Sequence, residues 1–378
     1  MTYFDNAATS YPKPKAVVKA MISAIERSGG NPGRGSHALS LAASDTVYEC
    51  REELASFIGL DKPENVVFTY NTTYALNIAI RAFARPKTAV LCSCLEHNSV
   101  IRPLRALGCE ILTFDALADE ESILSEISEK LKRVSLTVCT HASNVIPVRL
   151  PIARISRLCR NRGIPLIVDT AQSAGVLDVD MKSIQADAVC FAGHKGLYGP
   201  MGCGAVAFAG RYSSQIRKLT PLVSGGSGVN SLDPEMPDVL PERFEGGTLG
   251  VPAIAGLCAG IRAIREVGTD AVRAHEYNLC ARAAEILGNT KGVRLYTPPH
   301  PSGSLLLFNV SGMSPDRVAS MLDERGFCVR SGLHCSPSAH ERIGTSPTGA
   351  VRISFGAFNT LPEIEKFAAA IKEIIKNG

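Results

Sequence analysis

Short β-branched apolar runs alternate with amphipathic helical patterns through the first two-thirds of the chain. Strands are expected at Asn65–Tyr70, Thr88–Cys94, Cys109–Phe114, Val134–Cys139, Ile164–Asp169, Ala188–Phe191 and Ala205–Ala209. Helical periodicity fills the gaps at Thr73–Ala84, Val100–Leu107, within Asp119–Lys132, and at Ile152–Arg162. Parallel strands need crossovers, and a strand buried on both faces reads as a near-continuous apolar run. The alternation therefore predicts an α/β fold with a mostly parallel sheet covered by helices. Ligands in such sheets bind beyond the C-terminal strand ends. That rule selects Thr72-Thr73, Glu96-His97, Ser143-Asn144, Asp169 and His194-Lys195.

From Pro221 to Thr248 the pattern dissolves into a Gly- and Pro-rich stretch, too long for an idle connection and expected to be a functional loop or a short hairpin. Beyond Pro252 the texture changes. Long helices are expected at Ala253–Glu266 and Asp270–Leu287, then a strand at Ser304–Val310 and a helix at Pro315–Arg325. Strands at Phe327–Arg330 and Val351–Phe355 and a closing helix at Pro362–Lys376 complete a smaller α+β unit.

The chain has 378 residues, 45% hydrophobic and 20% charged, enough for a sizeable core and for two domains. A net charge of +4 without a basic stripe, no Trp and 6% aromatics argue against nucleic acid as a partner. The most apolar region, Ala186 to Gly210, is interrupted by His194-Lys195, so no membrane span is expected. The N-terminus lacks the basic and apolar regions of a signal peptide. Twelve Cys without a CxxC pair argue against a zinc or thioredoxin-type site. No metal is expected, and most of these Cys read as small buried hydrophobes in a reducing cytoplasm.

Asp169 ends an apolar strand. It is either a cap or a fixed anion facing a cationic ring nitrogen, with Gln172 three residues on as a donor to a ring hydroxyl. Lys195 follows His194 between glycines just past a buried strand, where desolvation favours the free amine that forms imines. Asp and Lys on successive strand ends form the pair expected around pyridoxal phosphate. Thr72 and Thr73 open a helix, as a cap or as a phosphate cup. His97 is placed to lie on a ring and move protons, or to be structural. Cys335 stands in a Gly/Ser/Pro loop near Arg330 and His334, which favour a thiolate. Arg352 sits in an apolar strand and needs an anion, either a substrate carboxylate or a structural partner.

With YFDNAAT, NPGRGSH (Asn31–His37), NTT, EHNS, SNV, VDTAQSAG, GHK, FEGGT and VRSGLHC…VRISFGAFNT in order, the chain resembles the class V aminotransferase family, specifically its cysteine desulfurases. The resemblance implies a fold-type I transferase using pyridoxal 5'-phosphate, with residues 14–251 as the large domain and 1–13 with 252–378 as the small one. It implies that Lys195 carries the cofactor, Asp169 pairs the ring nitrogen, His97 stacks on the ring, and Gln172 bonds its hydroxyl with Asn144 close by. Thr73, His194 and the Thr72 backbone would hold the phosphate, and Thr248 would reach the phosphate of a neighbouring subunit, implying a homodimer. Arg352 would bind the substrate carboxylate, with Asn6, Ala7, His37 and Arg330 nearby. Cys335 would accept sulfur from L-cysteine and pass it to an acceptor protein or small thiol. The SGLHC context is similar to the short-loop, SufS-like group. Ala192 stands where that group usually has a phosphate-binding Ser, and the segment after Cys335 differs from it. Selenocysteine lyase, cysteine sulfinate desulfinase and aminotransferase chemistry share this site; a non-catalytic sulfur-carrier scaffold would leave Asp169, Lys195 and His97 without a purpose.

Overall fold

A computed structural model describes residues 1–33, 35–296 and 303–377; Arg34 of the Asn31–His37 motif lies outside the described residues. The strands in chain order are β1 (Thr2–Tyr3), β2 (Val66–Thr69), β3 (Ala89–Ser93), β4 (Glu110–Phe114), β5 (Leu136–Thr140), β6 (Leu166–Asp169), β7 (Ala188–Ala192), β8 (Gly204–Phe208), β9 (Val293–Leu295), β10 (Leu305–Val310), β11 (Phe327–Cys328) and β12 (Val351–Ser354). The main sheet has seven strands in the order β2-β8-β7-β6-β5-β3-β4, parallel except for β8.

Every residue of β5, β6, β7 and β8 is buried, as continuous apolar runs require. Alternate side chains feed two cores. Leu91, Cys139, Val168 and Val189 enter one, while Val90, Val138, Ile167 and Ala188 enter the other. Strand β3 lies between β4 and β5, so the chain leaves it in one direction and returns on its other side. That reversal opens a crevice beyond the C-terminal ends of β3 and β5.

In the C-terminal part, β12, β10 and β9 form an antiparallel sheet, and β1 pairs in parallel with β11. Phe4 is fully buried there, edge-on to Phe355 and Phe367 at 5.2 and 5.5 Å. The N-terminal residues thus belong to the C-terminal core. Helix Val251–Val267, by contrast, packs on helices Lys15–Arg27 and Ala38–Phe57 and buries Ile254, Leu257 and Ile261 in the first core. A domain boundary at 251/252 would run along the start of that helix. A Cβ added to Gly260 would lie 2.3 Å from the Leu197 carbonyl oxygen, so glycine lets this helix lie directly against the backbone that follows Lys195.

The expected strands and helices appear within a few residues, except that the strand expected at Phe327–Arg330 stops at Cys328, Arg330 keeping only an isolated bridge to Arg352. Beyond the expected elements stand helices Lys15–Arg27 and Ala38–Phe57, the short helices Met181–Ile184 and Pro337–Arg342, and strands β1 and β9. Pro221–Thr248 contains neither helix nor strand apart from turns, so the hairpin alternative is not realised. No helix among the described residues is long and apolar enough to cross a membrane, and among them no group of three or more His, Cys, Asp or Glu could hold a metal ion.

Candidate functional site

Eight of the expected residues converge. Thr72, Thr73, His97, Asn144, Asp169, Gln172, His194 and Lys195 line one cavity of about 100 Å³ at the C-terminal ends of β2, β3, β5, β6 and β7. Asn71 caps helix Thr72–Phe83 by accepting the Tyr74 amide at 3.1 Å, and the amides of cavity-lining Thr72 and Thr73 have no intrahelical partner. Thr72 Oγ1 and His194 Nδ1 are buried without any partner. Thr73 Oγ1 shares a 2.8 Å bond with Ser99 Oγ, which in turn lies 2.8 Å from His97 Nδ1.

His97 caps helix Asn98–Ala106, its Nδ1 accepting the Ser99 amide at 3.0 Å. That bond leaves the neutral ring's proton on Nε2. Burial, then the charges of Lys195, Arg102 and Arg352, push His97 down to about 4. Asp169 ends β6, accepts the Ala171 amide at 2.9 Å, and is raised by burial against the pull of Lys195. Burial lowers Lys195 to about 8; Asp169 opposes this, while Arg352 and Arg330 add to it.

Three donors from the N-terminal segment converge on the carbonyl before Lys195. The Ser10 amide (3.0 Å), Thr9 Oγ1 (3.0 Å) and Lys13 Nζ (2.7 Å) donate to the His194 oxygen, while the Ser10 hydroxyl lies nearer the Lys195 carbonyl, at 2.9 Å. Burial lowers Lys13 to about 8. Thr9 closes the YFDNAAT motif, but nothing local in the sequence distinguishes Ser10 or Lys13.

Arg352 is 2% exposed and finds a protein anion: its guanidinium bonds Asp5 at 2.9 Å and the Asn144 carbonyl at 2.8 Å. Asp5 also binds Arg330 at 3.0 Å. Arg352 Nε remains buried and unpartnered. Two expected substrate ligands are otherwise engaged. Asn6 Nδ2 donates to the Ser354 carbonyl and Asn359 Oδ1, and its Oδ1 accepts the Tyr11 amide, so its side chain braces the N-terminal segment. The Ala7 amide donates to Ser354 Oγ and its carbonyl accepts from Gln172 Nε2, leaving Gln172 Oε1 for a ligand.

Asn144 lines the cavity and also reaches the Cys335 loop. Its Nδ2 donates to the His334 carbonyl at 2.7 Å and its Oδ1 accepts from Ser336 Oγ at 2.9 Å, gripping both flanks of Cys335. The Asn98 amide, next to His97, donates to the Cys335 carbonyl at 2.8 Å. His334 and Cys335 are held at φ 49° and 58°, in the left-handed region, at a cost of roughly 1–2 kcal/mol each for non-glycine residues. Cys335 is exposed, whereas nine of the twelve cysteines are buried.

His37 and Thr248 lie elsewhere in this chain. His37 caps helix Ala38–Phe57, and Thr248 accepts from Asn31 Nδ2 at 3.4 Å; both line an open groove of about 960 Å³ that does not include Lys195. Glu96, adjacent to His97, is 1% exposed; its Oε1 accepts the Thr140 amide at 2.9 Å and the Ser93 hydroxyl, and its Oε2 has no partner.

The aminotransferase class-V family model matches residues 2–367. A probable cysteine desulfurase of Methanothermobacter thermautotrophicus is 32% identical, covering 100% of this chain and 95% of that protein. One from Pyrococcus abyssi is 33% identical over 99% and 94%. The apo structure of a cysteine desulfurase from Thermococcus onnurineus NA1 superposes with a TM-score of 0.90 at 32% identity, covering 100% of this chain and 95% of that one. With the Lys195 crevice, the family model and full-length relatives in agreement, the chain belongs to the class-V aminotransferase family.

Proposed function

We propose that this protein is a cysteine desulfurase that uses pyridoxal 5'-phosphate, releasing L-alanine from L-cysteine and taking the sulfur onto Cys335. The carrying observation is a set of buried atoms with no protein partner: Thr72 Oγ1 and His194 Nδ1 on residues that line one small cavity, and Arg352 Nε on a guanidinium that bonds the carbonyl of cavity-lining Asn144. Leaving buried polar atoms unpaired is costly, so they mark where ligand oxygens belong. The first two suit a phosphate, and the Arg352 atom suits a substrate carboxylate.

The residues present fit the cofactor. Thr72, Thr73 and His194 would hold its phosphate, Asp169 its ring nitrogen, Gln172 Oε1 its ring hydroxyl, and Lys195 its aldehyde carbon. His97 would lie beside the ring. When bound, the cofactor supplies an electron sink at the substrate Cα. Lys195, lowered to about 8 by burial, is poised to take and return the Cα proton. Cys335 thiolate attacks the substrate sulfur; an S–S bond forms as the Cβ–S bond breaks, and the electron pair stays with the carbon, which is then protonated to alanine. Cys335 is left as a persulfide whose outer sulfur passes to an acceptor protein or small thiol.

The proposed assembly is a homodimer, with Thr248 and its groove facing the neighbouring subunit's phosphate site. In each chain, residues 1–13 would join the C-terminal unit that carries the nucleophile loop. Purified protein should show a visible chromophore fixed by borohydride to the Lys195 peptide, and should form alanine from cysteine without a keto-acid co-substrate. A colourless protein that the cofactor does not colour, or alanine formation that demands a keto acid, would overturn this reading.

A further inference from the structure

The turn that carries Cys335 stands on a buried pair of imidazoles. His334, 8% exposed, meets fully buried His340 edge to edge, with ring centroids 5.3 Å apart and planes 20° apart. His334 Nδ1 lies 3.1 Å from His340 Nε2, and His340 Nδ1 lies 2.7 Å from Thr345 Oγ1. The remaining nitrogen, His334 Nε2, faces the Arg330 carbonyl at 3.5 Å. A carbonyl only accepts, so this nitrogen carries the proton. His334 Nδ1 must then accept from His340 Nε2–H, and His340 Nδ1 from the Thr345 hydroxyl. This arrangement makes all three ring contacts, the Thr345 hydroxyl giving its one proton to His340 Nδ1 at 2.7 Å in place of the His340 carbonyl at 3.3 Å. Burial holds both imidazoles well below their ordinary value, which keeps them in these neutral forms.

The relay has a mechanical consequence. Consecutive left-handed residues, His334 and Cys335, are unfavourable for side chains with a Cβ and persist only where the surroundings over-determine them. Asn144 and the Asn98 amide fix the two carbonyls of the turn. The His334 side chain is fixed from the other side by His340, on helix Pro337–Arg342, and by Thr345 beyond it.

We propose that His340 is a positioning residue for the nucleophile: through its hydrogen bond to His334 and its tether to Thr345 it holds the left-handed turn that presents the Cys335 thiol to the substrate sulfur. The proposal rests on Cys335 being the sulfur acceptor. His340 touches no reacting atom, so its loss acts on the sulfur-transfer step and not on cysteine or cofactor binding.

The test compares His340→Leu, His340→Gln, Thr345→Val and Cys335→Ser as cofactor-loaded enzymes. His340→Leu should lower kcat for alanine formation about tenfold or more with KM for cysteine within about twofold and an unchanged visible spectrum. Amide hydrogen exchange across residues 330–336 should speed up about tenfold in the same variant, with or without cofactor. His340→Gln, whose amide nitrogen can replace Nε2 as donor, should recover most of the rate. A loaded His340→Leu enzyme with wild-type kcat overturns the proposal, as does a His340→Gln variant no better than His340→Leu. If His340→Leu does not load, Thr345→Val decides: a lowered kcat at constant KM supports the relay, and wild-type kcat overturns it. Turnover by Cys335→Ser would sink the acceptor reading itself. An inactive Cys335→Ser beside a fully active His340→Leu would sink the positioning role alone.

Discussion

Replacing Glu96 by Gln should stabilise the protein at neutral pH and leave it nearly unchanged in acid. Glu96 follows β3 and reaches the end of β5, its Oε1 accepting the Thr140 amide and its Oε2 buried alone. Burial raises its carboxyl from 4.5 to about 8, and nearby Asp169 pushes the same way. The folded value lies above the unfolded one, so the proton this group retains stabilises the fold fully below 4.5, and that stabilisation is lost as the pH rises through about 8. At about 1.4 kcal/mol per pH unit, the loss by pH 7 is about 3 kcal/mol, against less than about 1 kcal/mol at pH 5. Gln keeps the acceptor for Thr140, puts an N–H₂ where the acid carries its proton, and does not titrate. Denaturant unfolding followed by far-UV circular dichroism is the assay, because the chain has no Trp to report by fluorescence. The stability gap between variant and wild type should open from under about 1 to about 3 kcal/mol between pH 5 and pH 7. A gap that does not change with pH, or a variant less stable at pH 7, would show that Glu96 is ionised in the folded protein.

Cofactor uptake by apo protein should accelerate about tenfold per pH unit up to about 8 and then level, because the free amine of Lys195 is the reactive form; acceleration continuing toward pH 10 would mean that burial does not lower this amine. Arg352→Lys should raise KM for cysteine about 10- to 100-fold with a smaller effect on kcat, since a point charge cannot reproduce the fork shared by Asp5, Asn144 and the substrate; an unchanged KM in steady-state kinetics would place the carboxylate elsewhere. Mixing Lys195→Ala subunits with Thr248→Ala subunits should restore part of the activity that each variant lacks alone, and a monomer by sedimentation at working concentration would exclude shared sites.

The parallel sheet was legible because its central strands are buried on both faces and spell apolar runs, and its site was legible because a parallel sheet exposes its C-terminal strand ends in one crevice. Asp169, His194 and Lys195 follow directly from that geometry. Helix Ala38–Phe57 was not legible. Its buried face is built from Ser40, Ala43, Val47, Cys50, Arg51 and Leu54, with Arg51 matched to Glu245 almost two hundred residues away, so its amphipathic stripe is blurred. Arg352's protein anion was hidden for the same reason, since Asp5 stands at the other end of the chain. Asn144 was found by its strand-end position, but its grip on the Cys335 turn depends on packing between residues far apart in sequence. His340 and Lys13 carry no local signal at all, and only the fold brings them to the turn and to the His194 carbonyl.

The most direct test of the account is a single turnover of the cofactor-loaded enzyme with L-cysteine and no reductant, quenched and read by peptide mass spectrometry beside alanine quantitation. The account predicts one alanine per active site, a mass gain of one sulfur atom on the Cys335 peptide, and loss of both signals in Cys335→Ser, which should keep its visible spectrum. Alanine formed at the wild-type level in Cys335→Ser, or formed with no sulfur trapped on the Cys335 peptide of the native enzyme, would contradict it.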